Sequence, residues 1–242
     1  MGLLFKDRRD AGRRLAKALM DYADRTGVIV LALPRGGVPV AFEVAKTLHV
    51  PLDVLLVRKP GVPGQEELAM GAVASGGVRV FNDDVLRTLQ IPDRAIEIVA
   101  AKEQQEIERG ERAYRGDRPR LDVRGQTAVL VDDGLATGAS MRAAVSALRA
   151  QEPAHVIVAV PVATPEACES FRDSVDEVVC VETPRPFLAV GAWYEDFSQT
   201  TDEEVRGLLE QAADLSQSQR VRSGRERKGR TWSQATCQEQ TT

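Results

Sequence analysis

Apolar residues recur along this chain in two alternating periods. Short, nearly unbroken aliphatic runs at Val28–Leu33, Leu52–Val57, Ala128–Val131, His155–Val160 and Glu177–Val181 predict strands covered on both faces. Between them the spacing turns helical. Residues 7–25 form a basic amphipathic pattern with Leu15, Leu19 and Tyr22 on one side. Val38–Leu48 predicts a second helix, and Asp93 to about Tyr114 a long charged one striped by Ile96, Val99, Ala100 and Ile107. Met141, Val145 and Leu148 mark a helix from Ala139. Pro165–Asp173 is another, and Thr201–Ala213, with Val205, Leu208 and Leu209 inward, is the last. The glycine-rich stretch Gly61–Gly77 is a loop with Met70–Ala74 extended, and Val78–Phe81 is a short strand. Strands alternating with helices predict an α/β fold, a parallel sheet flanked by helices. Residues 1–213 form the expected domain. Residues 214–242 are polar, carry six basic residues between Arg220 and Arg230, and read as a disordered tail.

One junction carries more chemistry than the others. Ala128–Ser140 reads AVLVDDGLATGAS: a buried strand, two adjacent carboxylates, a small-residue turn, then a helix. Ligands of open α/β sheets bind beyond the carboxyl ends of strands, where Asp132 and Asp133 fall. Gly134 and Gly138 permit backbone shapes that other residues resist, and Thr137 and Ser140 add hydroxyls. The free N–H groups at the start of the following helix favour an anion. Hydroxyl-binding acids beside an anion cradle suit a ribose 5-phosphate. No lysine follows the second glycine and no G-x-G-x-x-G opens a helix, which excludes a P-loop and a dinucleotide fingerprint. A plain strand-to-helix turn with Asp133 as N-cap is the bland alternative.

Composition narrows the class. The chain has 242 residues, 43% hydrophobic and 5% aromatic, and a net charge of −4. That is enough for an aliphatic core and gives no general nucleic-acid footprint. No segment reaches membrane-spanning length, and Met1–Asp10 is too charged for a signal peptide. Cys168, Cys180 and Cys237, odd in number and without metal spacing, read as reduced thiols of a cytoplasmic protein. His49 and His155 lack nucleophile partners and read as structural.

Three further segments bear on the same site. Pro34-Arg35-Gly36-Gly37 follows the first strand, Val57-Arg58-Lys59-Pro60-Gly61 closes the second, and Phe187-Leu188-Ala189-Val190-Gly191-Ala192-Trp193-Tyr194 lies near the end. Each has an ordinary explanation: a turn, solvated charges, packed aromatics. Together with AVLVDDGLATGAS they resemble the type I phosphoribosyltransferases over about Val28 to Phe197. The signature resembles the phosphoribosyl pyrophosphate (PRPP) motif. The Arg58-Lys59 segment resembles the basic motif of adenine phosphoribosyltransferases. The aromatic segment is similar, less closely, to the base-binding segment of hypoxanthine-guanine phosphoribosyltransferases. The whole looks most like a bacterial group of phosphoribosyltransferase-domain proteins of unestablished acceptor.

The resemblance implies a parallel-sheet core with a small hood formed by terminal segments. It implies PRPP binding by Arg35, Gly36, Gly37, Asp132, Asp133, Gly134, Leu135, Ala136, Thr137, Gly138, Ala139 and Ser140. Mg²⁺ would sit at Asp132 and Asp133. Arg58 and Lys59 would face the pyrophosphate, and Phe187 or Trp193 would lie beside the base. Gly61–Gly77 becomes a candidate lid, with Glu66 and Glu67 as proton-handling candidates or simply exposed carboxylates. The implied reaction is Mg²⁺-dependent phosphoribosyl transfer from PRPP to a nitrogenous, purine-like base with pyrophosphate release, by a homodimer. The alternative is a non-catalytic PRPP-binding regulatory protein of the same fold, or a relative that binds another phosphorylated ligand. Two departures separate the chain from the hypoxanthine-guanine enzymes. Ala136 replaces their proton-exchanging aspartate, and Trp193-Tyr194 stands where they have a metal-facing aspartate.

Overall fold

A computed structural model describes residues 4–217. Five strands form the central sheet: β1 Val28–Ala32, β2 Leu52–Val54, and three later ones at Thr127–Val131, His155–Val162 and Glu177–Glu182. The elements between are α1 Arg8–Ala18, α2 Gly37–Leu48, β3 Val57–Arg58, β4 Gly61–Val62, β5 Gln65–Ala69, β6 Gly71–Ala74, β7 Val78–Phe81, α3 Asp83–Thr88 and α4 Asp93–Arg115. The three later strands are β8, β9 and β10; α5 Ala139–Arg149 follows β8, and α6 Pro165–Ser170 follows β9. The last helix among the described residues, α7, covers 202–217.

The central sheet runs β10-β9-β8-β1-β2, every pair parallel. Its strands are buried on both faces because alternate residues feed different cores. Val28, Val30, Ala32, Val129 and Val131 pack with α1, α2 and α7 through Leu15, Val40, Val44, Leu208 and Leu209. Ile29, Leu31, Ala128 and Leu130 face the other way, onto Met141, Val145 and Leu148 of α5 and Phe171 after α6. The unbroken aliphatic runs of the sequence are therefore two alternating faces, each covered.

The middle of the chain departs from expectation. The apolar run Leu52–Val57 predicts one strand, but the strand breaks after Val54. Val57–Arg58 instead joins an antiparallel sheet of order β3-β6-β7. The Gly61–Gly77 segment is not one lid. Its first half is the β4–β5 hairpin, while Met70 and Ala72–Ala74 are buried and β6 is a central strand. Ala100 and Ile107 of α4 cover Val73. The first helix ends at Ala18, followed by a 3-10 turn at Met20–Tyr22, short of the expected residue 25.

The terminal segments meet as the hood requires. Phe5 forms a parallel bridge with Tyr194 and their rings lie 5.4 Å apart. α7 continues to residue 217, past the boundary expected at 213, and the rest of the tail lies outside the described residues. Cys168 and Cys180 are a correction: they are joined by a disulfide, not free thiols. α6 returns along the β10 edge of the sheet, which puts the two side chains together. His49 caps α2 in the left-handed region at φ 57° and contacts Asp24, a structural role as read. Among the described residues no helix is long and apolar enough to cross a membrane.

Candidate functional site

The carboxyl ends of β1 and β8 lie side by side, because Ala32 pairs with Val131. The turn after β1 and the signature loop after β8 therefore share one rim. Leu33 N–H donates to the Val131 carbonyl at 2.9 Å. The Pro34–Arg35 peptide is cis. A Cβ on Gly36 would lie 2.1 Å from Asp133 Oδ2, and one on Gly37 would lie 2.7 Å from the Val131 oxygen. Both glycines are thus required by the close approach of the two loops, not by turn conformation alone.

Asp132 and Asp133 leave β8 half-buried. Asp132 Oδ1 accepts from the Asp133 N–H at 2.9 Å. Arg8, at the start of α1, donates from Nε to Asp133 Oδ2 at 2.8 Å and from a terminal nitrogen to the Ser198 carbonyl at 2.7 Å. Its guanidinium lies 3.9 Å over the Phe197 ring. The Tyr194 hydroxyl donates to the Asp133 carbonyl at 2.6 Å. Burial raises the pKa of both acids. The Asp133 charge raises Asp132 further, and Arg8 opposes the rise. Burial also raises the Tyr194 phenol, with the Asp133 charge adding to it.

The loop 134–140 is held through its carbonyls and leaves most of its amides free. Leu135 is buried and tied at both ends, its N–H to Val162 O at 2.9 Å and its carbonyl to Thr164 N at 3.0 Å. Ala136 O accepts from the Thr164 hydroxyl at 3.3 Å, and Thr137 O accepts from Arg142 at 2.7 Å. Gly134 packs on Val190, and Gly138 adopts φ 70° against Phe171. Among the described residues no hydrogen bond takes up the N–H groups of Ala136, Thr137, Gly138, Ala139 or Ser140. Five such donors at the start of a helix form an anion cradle.

The other expected residues divide. Arg35 ion-pairs with Asp202 at 3.8 Å, and Asp202 accepts from the Tyr114 hydroxyl at 2.8 Å. The Tyr114 pKa is pushed up to about 12, by burial first and Asp202 next, while the charges of Arg35 and Arg58 pull it down. The charges of Arg35 and Arg58 thus both act on one phenol. Arg58 and Lys59 are exposed and make no ion pair among the described residues. Glu66 and Glu67 are exposed on β5 and make no polar contact with the loop among the described residues. Phe187 and Trp193 are half-buried against the cluster of Phe5, Ala11, Val162 and Tyr194, and the buried Trp193 Nε1 has no partner among the described residues.

Arg8, Tyr114, Thr164 and Asp202 carry no motif that marks them in the sequence. Each reaches the rim from a distant segment. No group of three or more His, Cys, Asp or Glu side chains gathers for a metal among the described residues. Two adjacent carboxylates still fit Mg²⁺, which takes oxygen ligands and retains waters and substrate oxygens.

Comparison with known proteins agrees with this geometry. The family model described as "Phosphoribosyl transferase domain" matches residues 5–190. Two Mycobacterium tuberculosis proteins, from strains CDC 1551 / Oshkosh and ATCC 25618 / H37Rv, are each 49% identical over 209 residues, 86% of this chain and 47% of theirs. Both carry the name "Putative phosphoribosyl transferase". The chain thus spans about half the length of the curated relatives it matches. The crystal structure of TT1426 from Thermus thermophilus is 47% identical with a TM-score of 0.76, over 86% of this chain and 98% of that one. With its central parallel sheet, its loop of unbonded amides and a match from residue 5 to residue 190, the chain belongs to the phosphoribosyl transferase domain family.

Proposed function

We propose that the chain transfers a phosphoribosyl group from PRPP to a nitrogenous, purine-like base and releases pyrophosphate. The observation that carries this is the row of unbonded amides at Ala136–Ser140 directly behind Asp132 and Asp133. Those amides hold the 5-phosphate, and the two acids accept from the ribose hydroxyls. A base nitrogen forms the new bond at the anomeric carbon as the bond to the pyrophosphate oxygen breaks. The sugar becomes oxocarbenium-like, as in other glycosyl transfers.

Arg35, Arg58 and Lys59 neutralise the leaving group, aided by the amide of Gly36, while the Gly37 N–H is held by the Leu33 carbonyl at 3.1 Å. Mg²⁺, held by Asp132 and Asp133 through oxygen or water, supplies further charge neutralisation when bound. Arg8 orients the Asp133 carboxylate. Phe187 and Trp193 border the base. The β4–β5 hairpin, rather than the whole Gly61–Gly77 stretch, covers the site against water, and Glu66 or Glu67 takes the proton the base loses.

The test is calorimetry with Mg²⁺–PRPP followed by pyrophosphate release across a panel of bases. Binding, with release supported by at least one purine-like base, is the expected result. Binding without release from any base would favour a regulatory PRPP-binding protein. Absence of binding would remove both.

A further inference from the structure

At the edge of the sheet, away from the rim, two cavities share a wall. One, of about 370 Å³, lies between the β6–β7 turn and the end of α4 and is lined by Gly76, Glu111, Arg112, Arg115, Arg118 and Arg120 among others. The other, of about 250 Å³, is mainly apolar, with Pro51, Leu52, Pro119, Leu121, Leu209 and Ala213 in its walls. Arg115 and Arg118 line both. Pro51 and Leu52 open β2 at the amino end of the sheet, whereas the signature loop leaves the carboxyl end of β8.

The charges of these arginines are unequally compensated. Arg115 pairs with two carboxylates, Asp53 at 2.7 Å and Glu111 at 2.5 Å, so that cluster carries one excess negative charge. Arg118 meets no carboxylate among the described residues; it donates to the carbonyls of Arg115, Leu209 and Tyr114. Those three contacts fix its guanidinium in place. Arg112 and Arg120 make no ion pair or side-chain hydrogen bond among the described residues, and Arg120 rests on the Gly76 backbone. Asp117 lies in the same turn but lines neither cavity. Three guanidiniums without an ion pair thus line one concavity and outweigh the excess carboxylate at Arg115, one of them held rigid, with an apolar slot beside it. Guanidinium clusters match phosphate oxygens in geometry and charge.

We infer that this double cavity is a second ligand site, taking a phosphate chain on Arg112, Arg118 and Arg120 and the organic body of the same ligand in the apolar slot. A nucleoside polyphosphate has that chemistry. An inorganic polyphosphate would use the cationic half alone. The inference does not rest on the reaction proposed at the signature loop.

The test is calorimetric titration of the full chain with ATP and, separately, with inorganic tripolyphosphate. The double variant Arg112→Ala/Arg120→Ala removes two exposed side chains and leaves the core intact. Loss of two charge-assisted contacts should weaken both ligands by about 10-fold or more. Ala213→Trp fills the apolar slot and should weaken ATP while sparing tripolyphosphate. Failure of either ligand to bind, or equal binding by wild type and the double variant, would overturn the site. Equal affinity for ATP and tripolyphosphate, unchanged by Ala213→Trp, would overturn the role of the slot. The double variant should keep its affinity for Mg²⁺–PRPP, which separates failure here from failure at the loop.

Discussion

At the residue scale the rim depends on two glycines and one arginine. Gly36→Ala would drive a methyl into the Asp133 carboxylate and displace it from Arg8. A displaced Asp133 would lose its proposed contact with the ribose hydroxyls, worth about 1.5–3 kcal/mol for a charge-assisted bond, so PRPP should bind at least roughly 10-fold more weakly by calorimetry. Gly207→Ala is the contrast. It lies in α7 with nothing near its added Cβ, and should stabilise the chain by about 1 kcal/mol in urea melts. The acids and the loop behind them are legible in sequence because they are contiguous. Arg8 is not, because it stands 125 residues from Asp133; Tyr194 and Tyr114 reach their partners across 61 and 88 residues. Such side chains look like ordinary surface charges and core aromatics until the chain is folded.

At the element scale the alternation of strand and helix predicts the central sheet nearly whole. It does not show where a strand changes partner. Leu52–Val57 is continuously apolar apart from Asp53, so the break after Val54 leaves no trace in hydropathy. Asp53 itself marks the junction. It accepts from Arg115 Nε at 2.7 Å, and Arg115 also donates to Val54 O at 2.6 Å, fastening the end of α4 to β2. The pair is buried, and removing one partner strands the other. Arg115→Ala should lower the unfolding free energy by about 3 kcal/mol in urea denaturation. The link between α6 and β10 is likewise invisible, since cysteine spacing carries no information on which side chains the fold brings together. Labelling after denaturation without reductant should count one thiol among the three cysteines. A count of three would restore the expectation of free thiols.

At the scale of the whole molecule, two large cores sandwich the central sheet, while smaller ones sit under the antiparallel unit. Stability should follow that division. The hairpin strand β5 is almost wholly exposed, whereas β8 and β9 are nearly all buried. Hydrogen exchange should therefore release the β4–β5 amides first and those of β8 and β9 last. Uniform exchange across these strands would contradict the proposal that the hairpin is the covering element of the site.

The contact between Arg35 and Asp202 links these scales. It is 3.8 Å long with both side chains well exposed, and such pairs are worth at most about 1 kcal/mol. The diphosphate proposed to bind here would take the guanidinium from its carboxylate at little cost. Asp202 is the first residue of α7, so that exchange would leave this helix one tether fewer. The Tyr114 hydroxyl would still hold Asp202, so the helix would loosen at its first turn and stay anchored to α4.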